Sequence, residues 1–153
     1  MIGSKDQNMN DFESVIPILS VKNFTASIDY YVNKLGFEKR WDWGDPPTFG
    51  CVGRGKIDIF LCEGAQGQPG MWMSIFLEDV DALYDEYKKS GAIIRQPPTN
   101  YPWGVREMNV EDVDGHRLRM GSESTGPADD GAHLDERQSV TADNLSPQDR
   151  GRS

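Results

Sequence analysis

An α+β fold of two βαβββ modules, their sheets packed around a shared concave cleft, is what the sequence predicts, and three observations predict it. The order strand, helix, three strands runs twice along the chain, an internal repeat of about 50 to 60 residues. Each expected helix ends at a glycine that opens the next strand, as Leu35-Gly36-Phe37 in the first half and Ser90-Gly91-Ala92 in the second. Near the end, Asp114-Gly115 lies between two runs of alternating apolar and polar residues. That is a hairpin signal, because both turn residues tolerate positive φ. Each sheet must cover an apolar face, and two such modules can pack together to do so.

Taken in order, residues 1 to 13 form a polar, flexible leader. Val15-Ile16-Pro17-Ile18-Leu19-Ser20-Val21 is β-rich, but Pro17 removes a ladder donor and confines the strand to an edge or to a point where the chain leaves one sheet for another. Phe24, Ile28, Tyr31 and Leu35 recur at helical spacing before Gly36. Strands are expected at 37 to 43, 48 to 53 and 56 to 62, separated by Gly44-Asp45-Pro46-Pro47 and Gly53-Arg54-Gly55. A hairpin centred on Arg54 would set Cys51 opposite Ile57 and leave Cys62 beyond the pairing. Residues 63 to 70 are a Gly/Gln/Pro linker.

The second half starts with a strand at 72 to 77 and a helix at 80 to 91. A short strand at 92 to 95 leads through a Pro97-Pro98 loop to the final hairpin, which opens at Pro102-Trp103-Gly104. The repeat aligns Gly55-Lys56-Ile57-Asp58-Ile59 with Gly115-His116-Arg117-Leu118-Arg119. From Ser122 onward apolar side chains almost vanish, and residues 122 to 153 read as a disordered acidic tail. The domain is therefore expected to span 14 to 121.

Composition narrows the function. With 37% hydrophobic residues the chain is globular; its net charge of −9 argues against a nucleic-acid partner, and the clustered Lys and Arg that phosphate neutralisation needs do not occur in the sequence, so no nucleic acid is expected as partner. The tail carries seven acids and three arginines, leaving −5 on the rest, so the folded part itself would attract a cationic ligand. No apolar run approaches the roughly 20 residues that span a bilayer, and the polar amino end is unlike a signal peptide. No membrane association and a cytoplasmic location are the expectation. Cys51 and Cys62 fit it as reduced packing residues.

The stretch Pro102-Trp103-Gly104-Val105-Arg106-Glu107, followed by Asp112-Val113-Asp114-Gly115-His116-Arg117-Leu118, resembles the last hairpin of the bleomycin resistance proteins. That group lies within the wider superfamily of glyoxalase I, fosfomycin resistance proteins and extradiol dioxygenases, the vicinal oxygen chelate proteins. The resemblance covers roughly residues 15 to 121. It implies the glyoxalase/bleomycin resistance fold and a homodimer that exchanges its amino-terminal strand about a hinge at Pro17. It also implies a groove between subunits in which Phe49 and Trp103 sandwich a planar ring of a bleomycin-type antibiotic.

In metal-binding relatives the ligands fall at positions that correspond here to Ile16, Trp72 and Arg119, none of which holds a divalent ion. His116 matches a small polar position that is not a ligand, and a solvated or hydrogen-bonded role is expected for it. No cofactor and no catalytic residue is expected. The ligand-binding candidates are the rings Phe49, Trp103, Trp43, Trp72 and Phe60, together with Arg119; Arg117 and Arg119 add positive charge near the groove. The alternative is a metal-dependent lyase, isomerase or thiol transferase of the glyoxalase or fosfomycin-resistance type.

Overall fold

In a computed structural model that describes residues 10–132, strands and helices alternate in the expected order. The first module comprises β1 (Ile18–Val21), α1 (Phe24–Asn33), β2 (Glu38–Gly44), β3 (Pro47–Arg54) and β4 (Ile57–Glu63). The second comprises β5 (Trp72–Phe76), α2 (Val80–Ser90), β6 (Ile93–Asn100), β7 (Val105–Glu111) and β8 (Arg117–Glu123). Each module makes a four-stranded sheet, ordered β1-β4-β3-β2 and β5-β8-β7-β6, with the first strand of each parallel to the last. The two βαβββ units expected from the repeat are thus the architecture.

Both helices start where a side chain can satisfy a backbone donor. Asn23 accepts from the Ala26 N–H at 2.9 Å and Asp79 from the Ala82 N–H at 3.0 Å. Glu63 reaches back from the end of β4 to accept the Phe24 N–H at 2.7 Å, setting a negative charge at the positive end of α1. In α2, Asp81 lies in the first turn and Lys88 and Lys89 in the last, an order that complements the helix dipole. Close packing of α1 on its sheet needs Gly50, where a Cβ would stand 2.7 Å from the Phe24 ring.

One core joins the modules. Leu19, Tyr31, Val52 and Leu61 from the first pack with Val80, Tyr87, Met108 and Leu118 from the second, all fully buried. Each such side chain contributes about 1.5–3 kcal/mol. The carbonyls that end α1 are satisfied largely from the other module: Ser90 donates to Lys34 O at 2.6 Å and Tyr87 to Leu35 O at 2.8 Å, while Arg54 of β3 gives Leu35 O a second bond at 2.8 Å. Arg54 also grips Glu86 of α2 through two bonds.

At the opposite end of the core, the loop between β7 and β8 docks on α1. Asp112 is buried and accepts from the Tyr31 hydroxyl at 2.7 Å and from the backbone N–H groups of Asp114 and His116 at 2.9 Å. Asp114 accepts from Ser27 Oγ and the Lys22 N–H. His116 is fully buried, so the solvated alternative expected for it is corrected to the hydrogen-bonded one. Its Nδ1 accepts from the Met71 N–H at 3.0 Å, which leaves Nε2–H to donate to Ser20 O at 2.7 Å.

Four expectations are corrected. The first hairpin turns on Gly55-Lys56, with Arg54 opposite Ile57, so Cys51 faces Phe60, and Cys62 pairs with Phe49. Both cysteines are buried and free. The second hairpin leaves residues 112 to 116 unpaired between Glu111 and Arg117, five residues where the first leaves two. An odd difference flips the facing of every later residue. Ile59 of β4 therefore corresponds by burial to Leu118 of β8 and not to Arg119.

The Pro97-Pro98 segment belongs to β6, which continues to Asn100 with register shifts at Gln96. It lies at a sheet edge, where missing donors are tolerated. Finally, β8 runs to Glu123, and residues 124–132 fold back onto the end of β6. A structureless tail from residue 122 is thereby corrected for 122–132; residues 133–153 of that tail and 1–9 of the leader lie outside the described residues.

Candidate functional site

Strand alternation sends one set of side chains to the core and the other to an open face. On the first sheet, Val52, Ile59 and Leu61 face the core, so Phe49, Cys51 and Phe60 face away from it. Phe49, Phe60 and Trp41 form an aromatic cluster with ring centroids 5.2–5.6 Å apart. Trp43, opposite Phe49 on the edge strand β2, is 71% exposed. The sheet thus presents a plate of rings on the side that α1 does not cover.

The second sheet presents a different surface. Met73 and Ile75 pack against the core, which turns Trp72, Ser74 and Phe76 outward, with Phe76 75% exposed. The Arg117 guanidinium lies 5.2 Å from the centroid of the Trp72 ring. It also donates to Glu111, whose other oxygen takes a 2.6 Å bond from Arg95. Arg95 first, and Arg117 after it, hold the Glu111 carboxyl below its ordinary range in spite of burial.

Beside this group, Arg119 and Glu107 form a bidentate pair, with Nε to Oε2 at 3.1 Å and Nη2 to Oε1 at 2.8 Å. Trp103 Nε1–H donates to the same carboxylate at 2.8 Å. Beneath the indole, the Tyr101 ring stacks at 4.6 Å and 13°. Gly104 takes φ +84°, a left-handed conformation that lets the chain turn sharply from Trp103 into β7. A cavity of about 260 Å³ opens here, lined by Ser74, Phe76, Trp103, Val105, Glu107 and Arg119.

The expected site residues therefore fall into two groups on two sheets. Phe49, Phe60 and Trp43 belong to the first; Trp72, Trp103 and Arg119 belong to the second. Arg119 is matched by Glu107, and Arg117 shares Glu111 with Arg95, so the positive charge here is largely but not fully offset. Sequence reasoning missed Glu107, Tyr101 and Phe76. Alternation along Val105, Glu107, Asn109 and Glu111 would have set Glu107 on the face of Arg119, because Asn109 and Arg119 are directly paired.

A divalent metal does not fit the positions at which relatives bind one. Ile16 offers no donor atom, Trp72 lies against a guanidinium, and Arg119 is itself a cation. Among the described residues, no group of three or more His, Cys, Asp and Glu is arranged to hold an ion. Ile16 and Pro17 line instead a groove of about 560 Å³ with Ile57, Ile59, Met73 and Ile75. Just before them Phe12 and Val15 are 99% and 92% exposed. No described helix is long and apolar enough to cross a membrane.

Comparisons with known proteins agree with this architecture. The structure is similar to TioX from Micromonospora sp. ML1, with a TM-score of 0.63 at 20% identity over 72% of this chain and 99% of that one. It is also similar to the bleomycin-binding protein from bleomycin-producing Streptomyces verticillus complexed with copper(II)-bleomycin, at a TM-score of 0.62 and 25% identity over 76% and 100% of the two chains. A superfamily member from Sphaerobacter thermophilus DSM 20745 gives 0.59 and 26% over 72% and 98%. No curated protein matches the chain. The profile of one family matches residues 14–120, which take in both modules up to the middle of β8, and the chain belongs to the glyoxalase/bleomycin resistance protein/dioxygenase superfamily.

Proposed function

We propose that this protein is a non-catalytic small-molecule binder of the bleomycin resistance type, which sequesters a planar, cationic antibiotic in the cytoplasm. The guest lies between Phe49 of one subunit and Trp103 of the other, in a homodimer built by exchange of the strand that precedes Pro17. One observation carries this reading. Two ring-bearing faces occur on different sheets of the chain, one around Phe49 and one around Trp103, so each supplies half of a sandwich. A net charge of −9 favours a cationic guest, and ring stacking holds it.

On the second face Glu107 offsets Arg119, and Glu111 is shared between Arg117 and Arg95, so most of the positive charge is cancelled locally. Trp72 and Trp43 extend the plates on either side, and Phe60 backs Phe49. Protection is stoichiometric: protein must exceed drug, and the drug leaves unchanged. Titration calorimetry with metal-free bleomycin tests this directly. Saturable binding of two ligands per dimer, with the ligand's mass unaltered afterwards, is expected; a chemically modified product would replace sequestration with catalysis.

A further inference from the structure

The loop that carries Trp103 is pinned at both ends by a segment whose composition gives no hint of it. At one end stands Asn100, which is buried. Its N–H donates to Asp129 Oδ2 at 2.9 Å, and its carbonyl accepts the Asp129 N–H at 2.9 Å. Its side-chain Nδ2 donates to Thr125 Oγ1 at 3.2 Å, and its Oδ1 accepts the Thr125 N–H at 3.2 Å. At the other end, the Ser124 N–H donates to Gly104 O at 3.1 Å. At the far end of this segment Ala132 is buried, which anchors it.

Between those two ends lie only Tyr101, Pro102 and Trp103. Tyr101 is the floor on which the indole stacks, and its N–H is bonded to Val105 O at 2.9 Å. Loops of Gly, Pro and Trp have several accessible conformations, and ordering one on binding opposes affinity. A loop fixed beforehand has no such ordering left to do.

We infer that residues 124–132 are a strap belonging to the ligand site, with Thr125 and Asp129 as positioning residues that hold Trp103 in its stacking orientation through Asn100. This rests on the reading that Trp103 stacks a guest, but the strap's action on the ring can be observed without one. Asp129 supplies an acceptor and not a charge in this role, so an asparagine there keeps the bond to the Asn100 N–H. Alanine removes it.

Fluorine NMR of full-length protein labelled with 5-fluorotryptophan separates the four indoles, with the Trp103 line assigned from Trp103→Phe. In Asp129→Ala and in Thr125→Val the Trp103 line should broaden or move while those of Trp41, Trp43 and Trp72 stay, and Asp129→Asn should restore it. A Trp103 line unchanged in both variants, or all four lines moving together, overturns the strap. With metal-free bleomycin as probe, Asp129→Ala should bind about tenfold more weakly than the parent protein, the scale of one lost hydrogen bond; equal affinity also overturns it. Failure of the parent protein to bind the probe would refute the proposed function alone, and the fluorine spectra would still decide the strap.

Discussion

The Trp103 indole N–H and the Glu107 carboxylate meet at 2.8 Å, and the same carboxylate holds Arg119 in a bidentate grip. Glu107 is therefore the joint between a ring and a cation. With Tyr101 against one face of the indole, the ring has a set position before any ligand arrives. Such preorganisation raises affinity by lowering the ordering cost of binding.

Breaking that joint should loosen the ring. Glu107→Ala takes one acceptor from Trp103 and the matching charge from Arg119, and ligand binding is expected to weaken by about 1 to 2 kcal/mol. Calorimetry at low and high salt checks this. The uncompensated arginine repels a cationic ligand, so part of the loss should be relieved by salt; a salt-independent loss would mean that charge has no part in it.

The contact between the modules at Tyr31 and Asp112 is a stability feature remote from the rings. Burial pushes the Tyr31 phenol well above its ordinary 10.0 and raises the Asp112 carboxyl, so both groups depend on their shared bond. Tyr31→Phe should destabilise the fold by about 1.5 to 3 kcal/mol, the range for a hydrogen bond to a charged group. Urea denaturation measures it, and ligand affinity per folded molecule should not change.

Acid should unfold the protein through its paired carboxylates. Arg95, Arg54 and Arg106 hold Glu111, Glu86 and Asp81 below their ordinary values of 4.5, 4.5 and 3.8. A depressed native pKa gives stability that is present above the unfolded value and lost as pH falls through the native one. Asp112 has the opposite sign: burial raises its native pKa above 3.8, so its ionised form opposes folding at neutral pH and acid relieves it. Glu111 is the least exposed of the depressed three, so solvent screens it least. The thermal midpoint should fall as pH drops below about 4.5, and Glu111→Gln should flatten that slope; an unaltered slope would assign acid sensitivity elsewhere.

The amino-terminal arm offers a separate test of assembly. Phe12 and Val15 are almost fully exposed beside the groove between the modules, an arrangement suited to burial against a second copy. If the proposed dimer forms by exchange of this segment, deleting residues 1 to 16 should leave monomers or aggregates in sedimentation. A deletion variant that still sediments as a dimer would place the interface on other surfaces.

Local chemistry made much of this legible in the sequence. Helical spacing at Phe24, Ile28, Tyr31 and Leu35, the glycine that ends α2, and the alternation around Asp114-Gly115 act over a few residues and identify their elements directly. Turn length is not local in that sense. The extra residues that Asp112 organises after Glu111 shift the facing of β8, which is why Arg119 could be aligned with the core residue Ile59. Apolar content also misleads for residues 124–132: Thr125 and Asp129 are held by hydrogen bonds to Asn100, an attachment that hydrophobic periodicity does not register. Among site residues, the rings were identifiable by type, whereas Glu107 shows its role only once Trp103 bends back over β7.

The central claim, a guest stacked between rings of two subunits, is tested most directly by complementation. Phe49→Ala and Trp103→Ala should each weaken binding by about 1 to 3 kcal/mol, the scale of one stacking contact. If each groove takes Phe49 from one subunit and Trp103 from its partner, a mixed dimer of the two variants contains one intact groove. Calorimetry of the co-expressed variants should then recover full affinity at about a quarter of the sites expected for the parent dimer. No high-affinity sites in the mixture, with mixed dimers shown to be present by native mass spectrometry, would contradict a binding site shared between subunits.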